Sequence, residues 1–142
     1  MTPLAERSLR LAAVAVSLLA LTSWVPAAWG GTAHVLFVEA TQEGEDLWTF
    51  SVTVRHDDKG PAHWADWWRV RTPEGKELGR RVLLHSHEDE QPFTRDAQIR
   101  IPPHVRIVVV EAHDKVHGRG GATVTVDLTK PAGQSYTVTR RP

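Results

Sequence analysis

"LWTFSVTVRH", residues 47–56, alternates through its whole length. Trp48, Phe50, Val52 and Val54 fall on one parity, and Thr49, Ser51, Thr53 and Arg55 on the other. A strand turns successive side chains to opposite faces, so this is a β-strand with one apolar and one polar face. His56 continues the apolar face beyond its last valine. Similar short runs recur on either side, separated by turn signals. "HVLFVEA" (34–40) precedes it. After the breaker "DDKGPA" come "WADWWRVR" (64–71), "RRVLLH" (80–85), "AQIRI" (97–101), "VRIVVVEAH" (105–113) and "GATVTVDL" (121–128). "TPEGKELG" reads as a hairpin turn and "SHEDEQPFTR" as a longer polar connection. Short strands at this spacing predict an all-β domain over 34–128, an immunoglobulin-like antiparallel β-sandwich of about seven strands. Residues 129–142 are expected to form a C-terminal tail that either adds one strand or frays.

The region before the first strand has another character. Arg7 and Arg10 lead into the apolar run "LAAVAVSLLAL" (11–21), and "TSWVPAAWGGTA" follows with small residues. This is the order of a secretory signal peptide, expected over 1–33, with cleavage after Ala27, Gly30 or Ala33. An uncleaved anchor is the alternative, but the run is short against the ~20 residues that span a bilayer. The mature chain is therefore expected in the periplasm or the medium, with no membrane role after cleavage. If the cut follows Ala33, His34 becomes the N-terminus and offers an amine beside its imidazole.

From His34 onward the chain carries 15 Lys and Arg against 16 Asp and Glu. That balance leaves no electrostatic footprint for nucleic acid. The absence of cysteine removes disulfides, a thiolate nucleophile and Cys-bound zinc or iron–sulfur clusters. No GxSxG nucleophile elbow is present, and no pattern favours paired-carboxylate glycosidase chemistry.

The histidines carry the remaining signal. If successive strands run up and down, His34, His56, His63, His85, His87, His113 and His117 all fall at one pole, and His104 alone at the other. Parity places His34, His56 and Asp114 at the rim of apolar faces, while His113 points the other way. Polar groups at the mouth of a core need partners, and one cation satisfies several imidazoles and a carboxylate together. Each group also has an ordinary reading. "HDD" (56–58) can be a turn in which Asp caps its own backbone. "HSHEDE" (85–90) can be a solvated charge run or outer support for a metal ligand. "EAHDKVHGRGG" (111–121) can be a polar turn closed by glycines. Trp64, Trp67 and Trp68 are expected in core and rim packing.

Taken in order, "HV", "RHDDKGPAHW", "GKELGRRVLL" and "VVVEAHDKVHG" resemble the iron-binding immunoglobulin-like domain of superoxide reductases, the desulfoferrodoxin and neelaredoxin group. The resemblance covers His34 to about Val126. It implies that His34, His56, His63 and His117 stand where four iron-binding histidines lie in that family. Asp114 stands on the family's cysteine ligand, and His113 on the tyrosine before it. "HDD" replaces "HPM", and the step from His56 to His63 is one residue longer. The missing thiolate matters most, because a carboxylate is a harder and weaker electron donor that changes redox potential and metal preference. The resemblance thus implies the fold and a metal pocket, not superoxide reduction.

The sequence therefore predicts an exported protein with a histidine-rich mononuclear site. Its ligands are His34, His56, His63, Asp114 and His117, with His85, His87 and His113 as outer support or an adjacent site. The expected metal is iron or copper before zinc. The alternative is a non-catalytic module that binds a periplasmic partner protein, with "HEDEQPFTR" and the tryptophans as its contact patch.

Overall fold

A computed structural model describes residues 31–142, so all but the last three residues of the leader expected over 1–33 lie outside the described residues. Nine strands follow in order: β1 (His34–Gln42), β2 (Leu47–Arg55), β3 (Ala65–Arg71), β4 (Glu77–Val82), β5 (Phe93–Arg100), β6 (Ile107–Asp114), β7 (Val124–Asp127), β8 (Ala132–Gly133) and β9 (Tyr136–Thr139). They form two facing sheets, β5-β2-β1-β9-β8 and β4-β3-β6-β7. Every pairing is antiparallel except β1 with β9. The all-β sandwich expected from the alternating runs is the observed architecture.

Alternation fills the space between the sheets. Trp48, Phe50, Val52 and Val54 of β2 are buried, and so are Trp68 and Val70 of β3 and Val108 and Val110 of β6. Trp68 is the largest fully buried side chain, the central packing unit that a sandwich of this size needs. Trp67, of opposite parity, lies on the outer face, stacked on His113 at 4.5 Å with the Arg80 guanidinium 3.9 Å from its ring centre.

One expectation is decided and another needs correction. Of the two outcomes expected for residues 129–142, the added strand is the one observed, because Tyr136 and Val138 are buried and β9 pairs with β1 over Val38–Thr41. The alternation of Tyr136 and Val138 with Thr137 and Thr139 is the strand signal there. "SHEDEQPFTR" is not wholly a connection, because β5 begins at Phe93. That strand is a sheet edge, where polar residues on the outer face are tolerated and protect against unwanted pairing.

The chain crosses between sheets at the same end several times. The link from β2 to β3 runs through a 3₁₀ turn at Gly60–Ala62. Val54 pairs with Phe93, and Ala65 pairs with Asp114, so the end of β2, the start of β3, the start of β5 and the end of β6 meet at one pole.

Candidate metal centre

At this pole His56, His63 and Asp114 each present a ligand atom, all within 4.8 Å of one another. His56 and Asp114 are buried, and His63 is half-buried. The apolar faces of β2 and β6 carry the first and last of these inward by parity. His63 comes from the link between β2 and β3, held by a bridge between Lys59 and His63.

Asp114 is completely buried. Its Oδ1 accepts the amides of Val116 at 2.9 Å and His117 at 2.6 Å. The same oxygen lies 3.3 Å from both His63 Nε2 and His117 Nδ1. Its Oδ2 is buried with no hydrogen-bond partner among the described residues and stands 4.0 Å from His56 Nε2. Burial pushes the Asp114 carboxyl up. The two amides and the imidazoles of His56 and His117 outweigh that and hold it below the usual carboxylate range. The turn that follows is closed by the reciprocal backbone pair of Asp114 and Gly118 at 3.1 Å, with Gly118 at φ 71°.

His117 joins the group, with Nδ1 3.2 Å from His63 Nε2. The backbone carbonyl of Gly31 also enters it, 3.0 Å from His56 Nε2 and 3.2 Å from His63 Nε2. His63 Nε2 is thus ringed by Gly31 O, Asp114 Oδ1 and His117 Nδ1, more acceptors than one N–H can serve. Metal–nitrogen bonds of about 2.0–2.1 Å put neighbouring ligand atoms roughly 3–3.5 Å apart. Four of the separations involving His63 and Asp114 Oδ1 fall in that range. The donors and the partnerless Asp114 Oδ2 therefore fit a transition-metal ion shared among them.

A buried carboxylate orients the cluster from behind. Asp58 Oδ1 pairs with His56 Nδ1 and accepts the Ala65 amide at 3.1 Å, while Oδ2 accepts the His87 amide at 2.7 Å. Both nitrogens of His56 thus face oxygens, Nδ1 that of Asp58 and Nε2 that of Gly31. Asp58 was legible in "HDD" only as a turn residue. Its burial depends on the loop folding back under β3 and against the segment before β5, which local sequence does not encode.

The other expected residues are placed differently. His34 stands apart from the group, although the resemblance implies it as a ligand. Its Nδ1 accepts the Ala122 amide at 2.8 Å, and its Nε2 bonds Thr32 Oγ1 at 3.2 Å. A bulge between Val35 and Phe37 adds a residue to β1, so Val35, not Leu36, joins Val38 in the core and the parity at His34 is lost. Burial, then the neighbouring His56 and Arg55, push the His34 imidazole down. A cleft of about 310 Å³ lies beside it, lined by Thr32, His34, Arg55, His56, Asp57 and Gln91.

His113 faces outward and bonds Asp66 Oδ1 through Nδ1 at 2.6 Å. His87 is buried and stacked on Phe93 at 3.9 Å, with His85 4.4 Å beyond it. Neither ring nitrogen of His87 has a hydrogen-bond partner among the described residues, and Nδ1 lies 3.8 Å from Asp58 Oδ2. His87 thus stands behind Asp58, on the far side from the cluster. His104 sits with Thr72 and Glu74 around a separate cleft.

Among the described residues, no helix is long and apolar enough to cross a membrane. The chain matches no protein-family model and no solved structure. It is similar to a protein of Halomicrobium mukohataei described as "Putative lipoprotein", 46% identical over 100 residues covering 70% of this chain and 49% of the relative. The chain therefore spans about half the length of the curated relative it matches.

Proposed function

We propose that this is an exported metal-binding β-sandwich protein whose single metal site is built from His56, His63, His117 and Asp114. The observation that carries the reading is Asp114 Oδ2, a buried carboxylate oxygen with no hydrogen-bond partner among the described residues, facing the Nε2 of His56. A buried polar atom left without a hydrogen bond is costly, and a cation bridging it to the imidazoles would remove that cost. The donor set also agrees with what the superoxide reductase resemblance implies, with a carboxylate in place of the thiolate and without His34.

Three imidazoles and a carboxylate suit iron, copper or zinc; the superoxide reductase resemblance puts iron or copper first, and such an ion would supply Lewis acidity or one-electron chemistry. The protein's own part is to orient the ligands. Asp58 fixes the His56 ring, and the Val116 and His117 amides fix Asp114. Export is supported by the leader-like segment and by the description of the relative.

The test is elemental analysis of protein purified from the exported fraction after growth with iron, copper and zinc. About one equivalent of metal is expected in the unaltered chain, and a loss of most of it in His56→Ala and His63→Ala. Metal-free protein that also refuses iron, copper and zinc on titration rejects the reading. The exposed Val82 and Leu84 at the end of the edge strand β4 favour a second reading, a module that docks a periplasmic partner protein, which that negative result would support.

A further inference from the structure

Three side chains and one carboxylate do not exhaust the donors at this pole. The Gly31 carbonyl oxygen stands 3.0 Å from His56 Nε2 and 3.2 Å from His63 Nε2, at the separation expected of atoms sharing one ion. Gly31 adopts φ +83°, and a Cβ built on it would lie 2.2 Å from Cε1 of His117. Both the backbone conformation and the close approach to that ring require glycine here. The residues that follow are packed as firmly as any strand. Ala33 is 1% exposed and belongs to the core. Its carbonyl oxygen would meet a Cβ on Gly121 at 1.9 Å, and the next residue but one, Val35, donates its amide to Ala122 O at 2.8 Å.

We propose that Gly31 is a metal ligand through its backbone carbonyl, and that the segment 31–33 belongs to the mature domain. This rests on the metal-binding reading above and deepens it. The consequence for maturation is definite. Of the three candidate cleavage points, the ones after Ala27 and Gly30 keep this ligand, and the one after Ala33 discards it together with a core alanine. Cleavage after Gly30 adds the free amine of Gly31 next to its carbonyl, a chelating pair at the mouth of the site. A mature chain beginning at His34 would lose all of this, so the N-terminal amine of His34 is not the one that serves the metal.

Two measurements test this. The first is the mass of the exported protein, expected to place its N-terminus at Ala28 or Gly31; a start at His34 overturns the proposal. The second is cobalt(II) titration, followed by its visible absorption, of chains beginning at Ala28, at Thr32, which lacks the Gly31 carbonyl, and at His34. Both altered chains are expected to lose about tenfold or more in affinity and to show a changed cobalt spectrum. The chain beginning at Thr32 keeps the core residue Ala33 and should keep the urea midpoint of the metal-free protein within error, which separates a lost ligand from a lost fold. Equal affinity and identical spectra in all three overturn the role of Gly31 and leave the metal reading standing. No cobalt, iron, copper or zinc uptake by any of them overturns both.

Discussion

Asp114→Asn separates the two roles that Asp114 can have, turn former and ligand. In the metal-free protein the asparagine keeps one acceptor oxygen for the amides of Val116 and His117. Hydrogen bonds to a charged acceptor contribute about 1.5–3 kcal/mol and neutral ones about 0.5–1.5, so losing the charge costs roughly 2 kcal/mol over the two bonds. Against this, the charged Oδ2, which has no hydrogen-bond partner among the described residues, becomes a neutral amide NH2 that also needs partners but is less costly to bury than a charge. The offset is partial, and metal-free stability should fall by up to about 2 kcal/mol. Asp114→Ala keeps neither acceptor and should cost about 3 kcal/mol or more. Metal binding should respond differently, with both variants losing about tenfold or more in affinity. The assay is urea unfolding with and without saturating metal, because a ligand bound only to the native state adds stability as RT ln(1 + [L]/Kd). If Asn matches Ala without metal and keeps the full metal-induced gain, Asp114 is a turn residue only and the reasoning fails.

Other consequences can be checked beside it. Asp58→Ala strips the acceptor from His56 Nδ1 and from the amides of Ala65 and His87. Urea unfolding should show a loss of about 3–5 kcal/mol, with metal affinity falling as well. Gly121→Ala forces a Cβ to within 1.9 Å of the Ala33 carbonyl and should cost about 1–3 kcal/mol in the same assay. His87 is held below its ordinary 6.5 by burial first, then by Arg95 and His85. The unfolded chain therefore takes up this proton near pH 6.5 while the native state resists it. The stability is complete above that pH and is lost as pH falls toward the native value. His87→Phe should keep the stack on Phe93 and make unfolding curves between pH 7 and 5 less pH-dependent. The depressed Asp114 carboxyl acts at lower pH. Its contribution is present above the ordinary carboxylate range and disappears as acid titrates through its native value, so metal-free Asp114→Asn should show a shallower acid limb in the same unfolding series.

Much of this architecture was legible because period-two alternation is a local property. Trp48 to Val54 announced an inward face, and that face, carried one step further, placed His56 in the pole. The same logic reached Asp114 from Val108, Val110 and Ala112. It failed at His34, because a bulge inserts one residue without any mark in "HVLFVEA", and parity cannot survive an unseen insertion. It left β9 open between strand and frayed tail, because the two inward side chains of a four-residue strand matter only where β1 offers them an edge.

What the sequence determined by itself was therefore the sandwich, its apolar faces and the gathering of histidines at one end, since each follows from alternation and strand order. Tertiary structure alone decided which of those histidines lie within reach of Asp114. It turned His34 aside, set Asp58 beneath His56, left Asp114 Oδ2 without a hydrogen-bond partner among the described residues, and brought the carbonyl of Gly31 between two imidazoles. Those outcomes depend on where loops from different strands come to rest, and on which buried polar atoms are then left without partners. Both are fixed by packing across the two sheets and not by the order of residues along either one.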